Sequence, residues 1–410
     1  MFNINFNPSK WIPNFGSAAT TVIKLPSVAI DDIETSTDRV ARRLKHLILA
    51  NHANHSILYH KLEFHNHTAH ALGAAYLLGG TAEHLTDIYD EEIRELESWE
   101  DAPGEISADD WRDYLGKKEY QRAYVDFFED QMVTHSYHWK ELIQEYLFEG
   151  EKPLVNNLIS GLAHSMIHTG YALELDSKTL AIEALAMSCC CYNFMHKYLD
   201  DPTYSQRTST QPPSSLLNIM HKIREDKRFD ESQSTPGEFD LEKLFASRED
   251  EILEYWNAWD LSDPTAQFQE SQRVAAALVA GSSPREGDYN FFSAHVLTSS
   301  HAVRVLLPLV PAQHQLSLVR QWALLTIAVY ILQGRPPIST EMICNLDVGT
   351  SKWKHVRHLA LNGKGALDAH YVKVLRALVV AGQTWGDEDE LFLKAAIRFG
   401  EGWDNWRYEK

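Results

Sequence analysis

The sequence predicts an all-α fold: a single large multi-helix domain, with room for two helical halves packed around a shared central site. Three observations predict it. From residue 36 onward nearly every segment places apolar residues at helical period. Alternating β-branched runs of strand type are nearly absent. A hydrophobic content of 44%, with 11% aromatic residues, suffices for a sizeable core and excludes global disorder. No sequence signature recurs at about 30–45 residues, which speaks against a helical-repeat solenoid.

Residues 1–35 carry Pro8, Pro13, Gly16 and Pro26 without periodicity, and read as an extended N-terminal arm. Ser36-Thr37-Asp38 then offers a helix cap, followed by Val40, Leu44, Leu47 and Ile48 at helical spacing. Helical patterns continue over residues 82–99, 119–148, 178–198, 239–259, 312–332 and 366–381. Two stretches interrupt them. Residues 200–214, with Pro202, Pro212 and Pro213, and residues 225–238, with a Ser-Gln-Ser-Thr-Pro-Gly run, read as long surface loops dividing two helical halves.

A formal charge of −19 argues against nucleic acid and anionic membrane surfaces as partners. Four cysteines, three of them consecutive at 189–191, make no disulfide framework and suit a reducing compartment. The first 25 residues lack a basic region followed by an apolar run, and the longest apolar segment, residues 322–332, is too short to span a bilayer. The expectation is a soluble cytoplasmic protein.

Histidine is the unusual count, at 20. Four histidine-bearing turns lie in apolar, small-residue sequence. His67 and His70 follow Phe64-His65-Asn66, and His164 and His168 stand one helical turn apart. His295 and His301 flank Thr298, and His370 shares a helix face with Lys373. Buried imidazoles need hydrogen-bond partners or a metal. The pairs 52/55, 135/138 and 355/358 have similar spacing but polar, surface-like neighbours, and read as incidental or structural. There is no His-x-Asp or His-x-Glu, no Glu-x-x-His and no His-Glu-x-x-His, so any metal site would be rich in imidazole and short of carboxylates. Lys373 is the odd residue. A neutral buried lysine can take up carbon dioxide as a carbamate and supply an anionic oxygen; read from the residues alone, it snorkels to the surface or pairs with Asp368.

Taken together, Phe64-His-Asn-His-x-x-His, Gly161-Leu-x-His-x-x-Ile-His-x-Gly-Tyr, His295-x-x-Thr-x-x-His-Ala-x-Arg304 and His370-x-x-Lys-x-x-Arg376 resemble the questin oxidase-like proteins of fungal polyketide clusters. The resemblance spans about residues 36–405 and implies that this stretch is the catalytic domain. It implies oxidation of anthraquinones and related polycyclic phenols, with dioxygen as co-substrate. For one branch it implies a non-heme Fe2+ held by four histidines and a carboxylated lysine. Carried over, Lys373 is that lysine and His370 a ligand. His67, His164 and His295 are taken as the others, with His70, His168 and His301 behind them or against substrate, and Thr298 bonding the carbamate. Ala71 stands where many relatives carry a further histidine.

The expected activity is iron-dependent oxidative ring cleavage of an anthraquinone-type polyketide. The alternative is an NADPH-dependent Baeyer–Villiger-type oxidase without a metal, its histidines doing acid–base work. The sequence holds no dinucleotide fingerprint, since Gly363-Lys364-Gly365 lacks a third glycine. A third reading is a non-catalytic helical scaffold. A flat substrate needs an apolar slot, with Tyr171, Phe292, Trp353 and Tyr371 as candidate walls.

Overall fold

The Asp38 carboxylate accepts hydrogen bonds from the Val40 and Ala41 N–H groups and starts the helix Arg39–Asn54. Thr81, Ser177, Ser215, Asp240, Asp263, Asn290 and Asp368 begin later helices the same way. Each cap contributes about 1 kcal/mol. A computed structural model describes residues 22–232, 239–282 and 287–407. Among these the architecture is all-α, and the strands span only two or three residues. Leu58–Tyr59 pairs antiparallel with Phe64–His65, and Asp288–Asn290 runs parallel to Asn405–Arg407.

Four helices make a closed ring. Thr68–Leu77 packs on His164–Glu174, which packs on Phe291–Leu306, then on Ala369–Trp385, which returns to Thr68–Leu77. Close approach depends on small residues. A Cβ at Gly73 would meet the Tyr171 ring at 2.8 Å, and Gly170 faces Ala302. Two ring helices precede residue 200 and two follow residue 240, so two halves enclose one centre. Lys178–Cys190, Pro264–Ala280, Ala312–Leu332 and Leu391–Gly402 pack around the ring.

Several boundaries differ from the periodicity. The helix from Ala82 ends at Glu92, because the following segment turns back to pair with residues 55 and 56. Residues 119–148 divide at Ser136 and Tyr137, both in the left-handed region, into Gln121–Thr134 and Trp139–Ile143 with a wide turn over Gln144–Phe148. Residues 178–198 break at Cys190, after which Asn193 caps a new turn. Leu241–Asn257 kinks at Arg248. The expected loops hold helical turns at Pro202–Ser205 and Lys227–Phe229, and residues 233–238 lie outside the described part.

Of the expected arm, residues 1–21 lie outside the described part, and 22–32 run without helix or strand into a turn at 33–35. They are tied down by Ile23 N–H on Gln315 Oε1 (2.9 Å) and by Arg304 Nη2 on the Pro26 carbonyl (3.0 Å). The apolar run at 322–332 is the end of a 21-residue helix, Ala312–Leu332. That helix is long and apolar enough to cross a membrane, yet it is largely buried, with Trp322 Nε1 donating to the Val296 carbonyl (3.0 Å).

Candidate metal centre

Strained turns deliver the first two histidine motifs. His60, Lys61 and Leu62 are all left-handed, at about 1–2 kcal/mol each for side-chain-bearing residues, and lead into the Phe64–His65 strand. Asn66 then anchors the chain. Its Nδ2 donates to Asn51 Oδ1 and the Ser56 carbonyl, and its Oδ1 accepts from Thr68 N–H, which sets His65 and His67 on either side. Gly161, Leu162 and Ala163 form a second left-handed run that ends at His164, the first residue of its helix. The later motifs are held by packing. The strand Asp288–Asn290 seats Phe291, whose ring centroid lies 4.5 Å from that of His295 and 4.6 Å from that of His370.

These elements bring His67, His164, His295 and His370 together, with one ring nitrogen from each inside a sphere where no two are more than 4.8 Å apart. His67 Nε2 lies 2.7 Å from His164 Nε2, and His370 Nε2 lies 3.3 Å from His295 Nε2. His164 Nδ1 donates to the Gly161 carbonyl (2.6 Å) and His295 Nδ1 to the Phe291 carbonyl (2.9 Å), which leaves each Nε2 as the unprotonated nitrogen, facing His67 and His370 respectively. Burial pushes all four imidazoles below their usual pKa, His295 to about 3, with the Lys373 charge acting in the same direction. They are neutral near pH 7, the form that binds metal. Nitrogens about 2.1 Å from one ion stand at most about 4.2 Å apart, so shifts of a few tenths of an ångström bring the set onto one ion. The donors fit a transition metal, and imidazole serves zinc, copper, iron and nickel alike.

Lys373 is 1% exposed and its Nζ has no hydrogen-bond partner. It neither snorkels nor bonds Asp368, whose Oδ1 accepts from Tyr371 N–H and Trp406 Nε1 instead. Burial pushes the ammonium down to about 8 against the pull of Glu92 and Asp368. The amine lines a cavity of about 10 Å³ with Tyr171, Glu174, Thr298 and His301, room for about one water. Thr298 Oγ1 donates to the Ala294 carbonyl (2.9 Å). His301 Nε2 accepts from Arg376 Nη1 (2.7 Å), and Arg376 also pairs with Glu174.

A second cavity, of about 680 Å³, opens onto His67 and His164. Phe64, Phe239, Phe291 and Phe292 line it, a volume and lining suited to a flat polycyclic molecule. Of the four expected wall residues, Phe292 faces this cavity. Tyr171 lines the small one, Trp353 packs on Gly382, and the Tyr371 hydroxyl donates to the Gly400 carbonyl (2.8 Å).

Sequence reasoning left two features unassigned. His65 also lines the large cavity and stacks on His164, with centroids 3.9 Å apart and planes within 2°. A Cβ on Gly161, at φ +56°, would meet His65 Nε2 at 2.6 Å and Cys191 Sγ at 2.9 Å. Gly161→Ala is therefore expected to lower stability by about 1–2 kcal/mol and to weaken metal binding by displacing the stacked pair; paired thermal melts and metal analysis check this. The other feature is His52, set aside as surface-like. Its side chain is 12% exposed and bridges Glu183 and Glu129. The available signal was Glu183 itself, a lone carboxylate in the apolar run 180–187.

A closed ring of helices around four convergent neutral imidazoles defines an all-α protein with a buried site able to hold a metal and an aromatic-lined cavity beside it. The chain belongs to the questin oxidase-like family, whose sequence model matches residues 64–378. It is similar to a Baeyer–Villiger oxidase of Emericella nidulans, 24% identical with 88% of this chain and 86% of the relative covered. It is also similar to a questin oxidase of Aspergillus fumigatus (23%; 85% and 83% covered) and an oxidoreductase of Aspergillus parasiticus (26%; 84% and 73% covered).

Proposed function

We propose that the chain is an oxygenase of fungal secondary metabolism that inserts oxygen beside a carbonyl of an anthraquinone-type polyketide, the Baeyer–Villiger type of oxidation, and so opens a ring. Fe2+ is held by His67, His164, His295 and His370, and a carbamate on Lys373 supplies the anionic oxygen. The observation that carries the metal is the convergence of four neutral ring nitrogens within 4.8 Å beside a cavity of about 680 Å³. The name of the Emericella nidulans relative favours Baeyer–Villiger insertion over dioxygenative cleavage.

When bound, divalent iron supplies activation of dioxygen next to the substrate. The protein does the rest. Phe291 and Phe292 hold the flat ring system, and His65 offers a polar edge for a phenol or carbonyl. Thr298 reaches a carbamate only if its hydroxyl proton leaves the Ala294 carbonyl, a rotation about one bond. Residues 36–405 form the catalytic unit in this reading, working inside the cell.

The reaction types differ in electron balance. Insertion places one oxygen atom between the carbonyl and ring carbons and releases the other as water, consuming two electrons and two protons. Dioxygenative cleavage retains both atoms and needs no reductant. Aerobic turnover of an anthraquinone with NADPH, with and without added Fe2+, tests the proposal. One NADPH per product, dependent on iron, is the expected result. Product without NADPH would restore the dioxygenase, and NADPH-linked product from metal-free protein would favour the second reading, which the relatives' names also suit: oxidation without a metal, with histidine acid–base catalysis. No product and no bound metal would leave the scaffold.

A further inference from the structure

Five helices each contribute one side chain to an unbroken hydrogen-bonded chain that starts beside the histidine centre and ends at the surface. His70 Nε2 lies 3.0 Å from His168 Nδ1, and His168 Nε2 lies 2.9 Å from Glu183 Oε2. Glu183 Oε1 lies 2.8 Å from His52 Nδ1, and His52 Nε2 lies 3.0 Å from Glu129 Oε1. The first three members are essentially inaccessible, and the Glu129 side chain is 45% exposed. At the inner end, the His70 ring sits 5.9 Å, centroid to centroid, from that of His67.

A lone carboxylate in an apolar helix is costly unless charge and hydrogen bonds offset it. Here both Glu183 oxygens are bonded to imidazole nitrogens. We propose that His70, His168, Glu183, His52 and Glu129 form a proton path coupling the buried histidine centre to solvent, with Glu183 as its one-proton store. The path serves the oxygenase reading above, because that chemistry takes up and releases protons beside a centre whose four imidazoles are buried.

The donor and acceptor pattern gives the path a working sequence. His52, between two carboxylates, donates from both nitrogens. Burial disfavours its charge, but the bonds to Glu129 and Glu183 outweigh this and hold its pKa at about 10. Burial likewise opposes the Glu183 anion, and the bonds from His168 and His52 hold it at about 2. His168 therefore donates through Nε2 to Glu183 and accepts at Nδ1 from His70 Nε2–H. That leaves the His70 Nδ1 lone pair buried without a partner, as the entry point. A proton taken up there moves His70 Nε2–H to His168 Nδ1, and His168 Nε2–H to Glu183 Oε2. Neutralising Glu183 removes half the hold on His52, which passes its Nε2 proton to Glu129 and water. One proton enters and one leaves. The reverse sequence returns a proton to the site and recharges His52 from solvent, so with no ring turning over the path lends and recovers one proton in each turnover and supplies none net. Acid–base groups of this kind contribute roughly 100-fold or more to rate.

The test combines two measurements on the full chain. In ¹⁵N-histidine spectra of metal-free protein near pH 7, His52 is expected to be doubly protonated. Glu183→Gln is expected to remove the His52 charge. In iron-loaded protein, Glu183→Gln should retain its iron while turnover falls at least roughly tenfold, with an altered solvent deuterium isotope effect. If Glu183→Gln does not fold, Glu129→Gln decides at the exposed end, with a smaller slowdown and the same change in isotope effect. A neutral His52 in the wild type, or iron-loaded variants with unchanged turnover and isotope effect, would overturn the path. The spectra require no oxidation chemistry, so failure of the oxygenase reading would appear separately, as wild-type protein without iron or product.

Discussion

His164→Ala is expected to yield a folded chain that no longer holds iron, with content falling from near one ion per chain to below a tenth and turnover falling at least roughly 100-fold. Altering a group behind a metal ligand already costs about 10- to 100-fold, and this change removes a ligand. The ring does little for the fold. Its Nδ1 bond to the Gly161 carbonyl and its stack on His65 are local, so stability should fall by about 1–3 kcal/mol. His301→Ala is the matched control. His301 is equally buried and belongs to an adjacent motif, but it bonds Arg376 outside the four-nitrogen cluster, and iron should remain. Elemental analysis of both variants beside circular dichroism melts separates lost ligation from lost structure. Full iron in folded His164→Ala would show that the cluster is not the metal site.

How much of this was legible depends on how local each cause is. Helix starts were readable where one side chain caps them; Asp38 sits where the pattern begins and bonds the N–H groups two and three residues on. Breaks were less readable. Ser136 and Tyr137 carry no glycine or proline signal, yet both adopt the left-handed region between two helices that bury Met132 and Trp139. The four motifs announced themselves by apolar context, but spacing could not separate the members of a pair. That separation is made by tertiary placement: Gly161–Ala163 swings His164 to the centre, while His168, one turn later, points at Glu183. His52 was set aside because its neighbours in sequence are polar, although its partners lie 77 and 131 residues away. Lys373 shows the same limit: Asp368 is near in sequence, but its oxygen is taken by Tyr371 and Trp406.

Lys373→Met is expected to change stability in opposite directions with and without metal. In metal-free protein at pH 7 the wild type buries an ammonium whose nitrogen has no partner. Its pKa falls from 10.5 to about 8 through burial, only partly offset by Glu92 and Asp368. That depression corresponds to about 3 kcal/mol, an upper figure because part of it is relieved by local water and relaxation. The unfolded chain keeps this proton up to pH 10.5 and the folded chain releases it through pH 8, so the penalty is full below pH 8 and fades as pH rises to 10.5. Methionine has similar length and no charge, so the variant should be about 1–3 kcal/mol more stable at pH 7. The gap should close between pH 8 and 10.5. With bicarbonate and Fe2+ the order should reverse. Metal at 100 times its dissociation constant stabilises the wild type by about 2.7 kcal/mol, and the variant, unable to form a carbamate, should bind iron weakly. Thermal melts of both chains at pH 7 and pH 10, each with and without metal and bicarbonate, supply the comparison. A variant less stable than wild type when metal-free would mean the amine is paired in solution, and one that kept full iron would remove the carbamate from the site.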